Sequence, residues 1–344
     1  MNESLLRGLL TTPGVSGREE RIRKYVIDQL SSLVDEVSVD AMGNVIGVKH
    51  GEEPSVMLSA HMDTIGFLVS HIDDDGFIRF VPVGGFDPRT LVMQRVIVHG
   101  KDDYVGLISP SSKPIHLSRP EDRDKAVKIE ELFIDLMMPP DQVKANVQVG
   151  DPISLCREVV VNEWSFASAY LDDRIGVYIM LEALKRASPK VKVYAVASVQ
   201  EEVGLRGART SAYGINPSIG VAIDVTIAGD IPGMDKTQQV TSLGKGAAIS
   251  IMDADSISDP RLVSQFRSVA EKYNIPYQME ILPRGGTDAG AIQQARAGVP
   301  VITLSIPVRY IHTVNESARI SDLEATIDLL SKFMEHAHEV NLSW

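Results

Sequence analysis

The chain has one cysteine, Cys156, in 344 residues. A single thiol excludes an internal disulfide and fits a reducing compartment such as the cytoplasm. Cys156 closes the run Pro152-Ile-Ser-Leu-Cys156, which reads as a buried strand, so it is taken as a core thiol and not a nucleophile. Tryptophan is scarce too: there are two, Trp164 and Trp344, and aromatics reach only 6%. That is poor material for a cleft that stacks sugars. No apolar run reaches the ~18 residues that a membrane-spanning helix needs. Residues 1–10 lack a basic stretch followed by a long apolar one, so no signal peptide is expected. Basic residues are outnumbered, with 34 Lys and Arg against 46 Asp and Glu and a net charge of −12. A nucleic-acid binder needs the opposite balance.

What is present is material for a large core: 44% of the residues are hydrophobic, and the length suits two domains. Residues 18–33 read as an amphipathic helix, with Ile22, Val26, Leu30 and Leu33 on one stripe. Short β-rich runs follow at 37–40, 45–48 and 56–59, the last leading into Ala60-His61-Met62-Asp63. The texture then changes. Runs at 67–72, 77–83, 95–99, 104–109 and 151–156 are short strands separated by turns, the pattern of a small barrel or sandwich. Asp73-Asp74-Asp75-Gly76 lacks the rest of an EF-hand loop and reads as a hairpin turn. From residue 158 strands alternate with helices. Asp259-Pro260 marks one helix start, and Ser321-Asp-Leu-Glu324 reads as a capping box opening the last helix. The fold class is therefore α/β: a covered mixed sheet from residues 1–66 and 158–344, with a small β-barrel domain, 67–157, inserted into it.

The adjacent pair Glu201-Glu202 follows the apolar run 191–200, with no Lys or Arg within three residues on either side. Two carboxylates at the mouth of a sheet repel each other unless something positive meets them. His61 and Asp63, Asp172 and Asp173, Asp224, and His312 stand at other apparent strand or helix ends. In α/β sheets such ends converge on one edge. Two histidines with several carboxylates suit one or two divalent metals. His-Glu-x-x-His is absent, which excludes a zincin pattern. Gly244-Lys245-Gly246 reads as a turn, and His336 and His338 as charges suited to a helix C-terminus.

The chain resembles the tetrahedral (TET) aminopeptidase family of dinuclear metallopeptidases, some of which carry glutamyl aminopeptidase, deblocking aminopeptidase or endoglucanase M labels. The carrying motifs are Ser59-Ala-His-Met-Asp-Thr-Ile-Gly66, Leu171-Asp-Asp-Arg-Ile-Gly176, Val199-Gln-Glu-Glu-Val-Gly-Leu-Arg-Gly-Ala208, Ala222-Ile-Asp-Val225, Gly285-Gly-Thr-Asp-Ala289 and Ile306-Pro-Val-Arg-Tyr-Ile-His312. Arg119-Pro-Glu-Asp-Arg123 also looks familial. The resemblance implies two divalent metal ions per subunit, zinc first, with cobalt or manganese as alternatives. It makes Asp172 the bridging carboxylate, His61 and Asp224 the ligands of one metal, and Glu202 and His312 those of the other. It makes Glu201 the general base, acting on a metal-bridged water, and Asp63 the carboxylate that orients His61. Gly286, Thr287, Arg309 and Tyr310 are candidates to touch substrate. The implied enzyme is a dinuclear metallo-aminopeptidase of the cytoplasm that trims peptides with a free N-terminus. It would self-associate into dimers and a tetrahedral dodecamer through the inserted domain, with no nucleic acid or membrane partner. Rival readings are a related dinuclear hydrolase of other amides, a glycan hydrolase, and a non-catalytic assembly protein on the same fold.

Overall fold

The computed structural model describes residues 1–111, 116 and 127–343. Arg119-Pro-Glu-Asp-Arg123 and Trp344 lie outside the described residues. The chain divides into two compact units, Met1–Thr64 with Val159–Ile311 and Asn315–Trp344, and Ile65–Glu158 with His312–Val314. Among the described residues no helix is long and apolar enough to cross a membrane.

The first unit is built on a mixed eight-stranded sheet. Its order runs Glu36–Val39, Val45–Lys49, Val191–Ser198, Glu52–His61, Ile219–Ile227, Val301–Val308, Ala247–Met252 and Tyr277–Ile281. The four central strands, from Val191–Ser198 to Val301–Val308, are parallel. Side chains alternate between the faces of a strand, and both faces here are apolar. Val56 and Leu58 pack with Ile22, Val26, Ile175 and Ile327 on one side, while Met57 packs with Ala208, Ala212 and Ile292 on the other. The expected covered mixed sheet is thus present.

The expected helix 18–33 is shorter, Glu20–Leu30. It buries Ile22, Val26 and Leu30, whereas Leu33 packs only partly. Two helices of this unit escape the sequence reading, Glu3–Thr11 and Arg206–Ile215. The start at Asp259-Pro260 holds, with the Asp259 side chain accepting from Arg261 N. The capping box at Ser321 does not form. The last helix, Ile320–His336, begins after Arg319 with no side-chain cap. Asp322 instead turns to the loop before Ala247–Met252 and accepts from Gly244 N (2.7 Å) and Gly246 N (2.9 Å). The box would need Glu324 to reach back to the helix start, but its carboxylate pairs with the Met1 amino group (2.8 Å) and Arg186 Nη2 (2.8 Å).

The second unit is a closed six-stranded antiparallel barrel: Gly66–Ile72, Ile78–Val83, Leu132–Asp135, Asp103–Pro110, Arg95–His99 and Pro152–Leu155. Phe67 is its aromatic centre, stacked on Phe86 at 4.4 Å and edge-on to Phe80 at 4.8 Å. Asp73 Oδ1 accepts from Asp75 N and Phe77 N, which makes the acidic run the hairpin turn it was read as. A short helix, Pro140–Asn146, is the element least visible in a β-rich stretch.

Candidate metal centre

Three neighbouring parallel strands bring the acidic and imidazole groups together. His61 ends Glu52–His61, paired with Ser198 at the end of Val191–Ser198. Ala222 pairs with Ser59, so Asp224, two residues on, stands level with His61. The ends of parallel strands leave their last residues and following loops free to hold ligands. Asp172 and Asp173 come from the start of helix Leu171–Arg186, where both leave helical dihedrals (φ −76°, ψ 108° and φ −117°, ψ 36°). Gly176 belongs to this turn because a Cβ there would lie 2.3 Å from the Asp173 carboxylate oxygens.

Two sets of three ligand atoms lie within 4.8 Å of one another: His61, Asp173 and Asp224, and His61, Asp172 and Glu202. His61 serves both. Its Nε2 is 3.0 Å from Asp172 Oδ1 and 3.8 Å from Glu201 Oε2. Its Nδ1 is 3.1 Å from the main-chain oxygen of Asp63 and 3.6 Å from Asp63 Oδ1. The Asp63 carboxylate makes its short contacts elsewhere. It accepts from Ser16 Oγ (2.6 Å), Glu201 N (3.0 Å) and Glu202 N (3.3 Å). The loop beyond is closed by Val199 N donating to Asn44 Oδ1 (3.0 Å) and Gly207 N to Val199 O (2.9 Å). Asp288 links two of the strands, its Oδ2 accepting from Ser59 Oγ (2.7 Å) and Ser198 Oγ (2.5 Å).

The electrostatics follow from this crowding. Burial raises the pKa values of Asp173, Asp224 and Glu201, and neighbouring carboxylates push them further up against the pull of His61. Burial alone would lower that of His61, but Glu201, Asp172 and Asp63 hold it well above its usual value. Asp63 goes the other way: burial would raise it, yet His61, Ser16 and the Glu201 amide keep it low. Buried carboxylates that destabilise one another, gathered round an imidazole, form the mixed oxygen and nitrogen donor set of a divalent transition ion. The residues present therefore fit a metal.

His61, Asp63, Asp172, Glu201, Glu202 and Asp224 meet in the first unit. His312 is in neither ligand set and belongs to the second unit, where a Cβ on Gly85 would lie 3.4 Å from its Nδ1. Asp173 was visible in sequence as a candidate without a role. Ser16, Asn44 and Asp288 were missed as site residues, since a serine in a loop, an asparagine in a turn and an aspartate at a helix start look ordinary until tertiary contacts are known.

The M42 glutamyl aminopeptidase family matches residues 43–329. The chain belongs to this family. It is 41% identical to a lysyl aminopeptidase of Pyrococcus furiosus over 340 residues, covering 96% of each chain. Its fold matches an aminopeptidase from the archaeon Desulfurococcus kamchatkensis with a TM-score of 0.92 and 41% identity, covering 97% of this chain and 94% of that one. It also matches the TET1 peptidase of Pyrococcus horikoshii, which can assemble into a tetrahedron or a large octahedral shell, with a TM-score of 0.86 and 32% identity over 96% and 98% of the two chains. The expected likeness to TET aminopeptidases is borne out, and the protein is a peptide-bond hydrolase.

Within this M42 peptidase, the four candidate substrate residues differ in how their side chains are employed. Thr287 caps helix Asp288–Gln293, and its hydroxyl bonds Asp253 Oδ2 (2.9 Å) and Thr303 Oγ1 (2.9 Å). Gly286 sits where a Cβ would lie 1.9 Å from Asp255 Oδ2. Arg309 grips Asp230 through two parallel bonds, Nε to Oδ1 (3.0 Å) and Nη2 to Oδ2 (2.7 Å). Tyr310 is exposed, with φ +65°.

Proposed function

We propose that this M42 peptidase is a metal-dependent aminopeptidase that removes N-terminal residues from peptides, with Glu201 as general base. The observation that carries the reading is the pair of ligand sets sharing His61, with Glu201 Oε2 beside them at 3.8 Å from His61 Nε2. His61, Asp172, Glu202 and Asp224 would hold two divalent ions, with His312 as the fifth ligand on the strength of the family resemblance. Zinc suits the donors first, then cobalt or manganese. Asp173 joins the set through geometry. When bound, such ions polarise the scissile carbonyl and make water a stronger acid.

The chain's own groups do the rest. Glu201 takes a proton from the attacking water and passes it to the departing amine. Burial and the neighbouring carboxylates raise its pKa above that of an ordinary glutamate, which strengthens it as a proton acceptor. Asp63, through its main-chain oxygen on Nδ1, keeps the His61 ring oriented with Nε2 toward Asp172. Tyr310 contacts the substrate, while Gly286, Thr287 and Arg309 shape the loops that receive it. The substrate is a peptide with a free N-terminus, and the protein works in the cytoplasm. By likeness to the Pyrococcus horikoshii TET1 peptidase it assembles from dimers into a tetrahedral dodecamer, with the inserted barrel as the oligomerisation domain.

Paired substitutions test the assignment of roles. Glu201→Gln is expected to keep its metal and lose turnover by ~10²–10⁴-fold, the usual contribution of a general base. Glu202→Gln is expected to lose metal. Elemental analysis together with rates on aminoacyl amides decides the matter; a metal-free Glu201→Gln beside a metal-replete Glu202→Gln would reverse the two roles.

A further inference from the structure

The N-terminal loop reaches the site from outside the span matched by the family, which begins at residue 43. Ser16 is buried, and its Oγ donates to Asp63 Oδ2 at 2.6 Å. The same carboxylate receives the amides of both Glu201 and Glu202. Three donors from two distant segments thus converge on one carboxylate that has no exposed surface. The loop is itself held firmly. Ser16 N donates to Thr64 O (3.1 Å), and Thr64 N donates to Gly14 O (3.0 Å). Arg174 Nη1 donates to the main-chain oxygens of Leu9 (2.6 Å) and Thr12 (2.9 Å). Gly17 N donates to Glu19 Oε1 (2.6 Å).

We infer that Ser16 is a positioning residue: its hydroxyl fixes the Asp63 carboxylate so that the two amides of Glu201 and Glu202 are held together, setting the general base and its neighbour in place. The inference rests on the role proposed for Glu201. A carboxylate held by three donors cannot rotate without losing one of them. Removing the hydroxyl leaves Asp63 with the two amides and the more distant His61 ring, and lets the loop Gln200–Gly204 shift with it. A positioning role also makes a specific demand on the replacement. Threonine keeps the hydroxyl, cysteine keeps the size but donates weakly, and alanine removes the group.

The test uses the metal-loaded full-length chain carrying Ser16→Ala, Ser16→Cys or Ser16→Thr. Ser16→Ala is expected to lower kcat by ~10–100-fold, the usual effect of losing an outer hydrogen-bond partner at a metal site. KM is expected to stay within about twofold, since the contact lies on the catalytic side of the site and not on substrate. Ser16→Thr is expected to restore kcat to within about threefold, and Ser16→Cys to remain low. Hydrogen exchange of the peptide spanning Glu201 and Glu202, read by mass spectrometry, is expected to quicken in the alanine and cysteine variants and not in the threonine variant. This readout is independent of turnover, so it stands even if Glu201 is not the base. Wild-type exchange and kcat in Ser16→Cys would overturn the inference. So would equal losses in the threonine and cysteine variants, which would show that keeping the hydroxyl does not restore the site. If Ser16→Ala does not fold, the threonine and cysteine pair decides alone.

Discussion

Arg174 has no exposed surface, yet it carries a charge beside the loop that supplies Ser16. Burial lowers its pKa to about 10, so it remains a cation at neutral pH. Two of its guanidinium bonds go to main-chain oxygens, which makes it a clamp on the N-terminal segment. Arg174→Ala removes both bonds and leaves a cavity, so a loss of about 2–5 kcal/mol in unfolding free energy is expected. Denaturant titration reads it, and a loss below about 1 kcal/mol would contradict the clamp. At this scale the sequence was most legible where chemistry is unusual. Adjacent glutamates at a strand end, and His61 with Asp63, have few bland explanations, and the residues that meet at the site were named from them. Asp63 was expected to orient His61 through its carboxylate; Oδ1 lies 3.6 Å from the ring Nδ1, the main-chain oxygen is nearer at 3.1 Å, and the same carboxylate also accepts from Ser16 and two amides. Which oxygen faces which partner depends on the close approach of segments about 140 residues apart, and no local pattern encodes it.

Among the elements, the strand Tyr277–Ile281 at the sheet edge holds a buried acid, Glu280. Burial raises its pKa to about 7, and the hydroxyls of Thr226 and Ser305 pull it back only in part. In the unfolded chain the same carboxyl titrates near 4.5. Between those values the folded state binds the proton more tightly than the unfolded state. Stability contributed by this group is therefore complete below pH ~4.5 and lost as pH rises to ~7, by about 3 kcal/mol in all. Glu280→Gln, neutral throughout, is expected to raise the unfolding free energy at pH 8 and to flatten its fall between pH 5 and 7. Unfolding at several pH values checks this; an unchanged slope would contradict it. Strands such as Val191–Ser198 were legible because buried parallel strands are continuously apolar. The short helix Pro140–Asn146 and the missing cap at Ser321 were not. The helix buries only Val143 of its own residues, and the Glu324 that the cap required is taken by the Met1 amino group and Arg186.

For the whole molecule, the proposed assembly has a counterpart in the surface of the second unit. Among the described residues of the second unit, Met93, Met137 and Val149 are each more than 60% exposed. Large apolar side chains in water favour association where a partner can cover them. Sedimentation of the metal-loaded protein at micromolar concentration is expected to show a dodecamer. A dimer would retain the interface and remove the cage, and a monomer would remove both. The central claim, however, is that two metal ions and Glu201 make this fold a peptidase, and it is tested most directly by turnover of the verified metal-free protein on free-amine leucyl, glutamyl and lysyl amides before and after reloading with zinc, cobalt or manganese. The account expects no turnover without metal and recovery of at least one activity with it; full activity in the metal-free protein would contradict it.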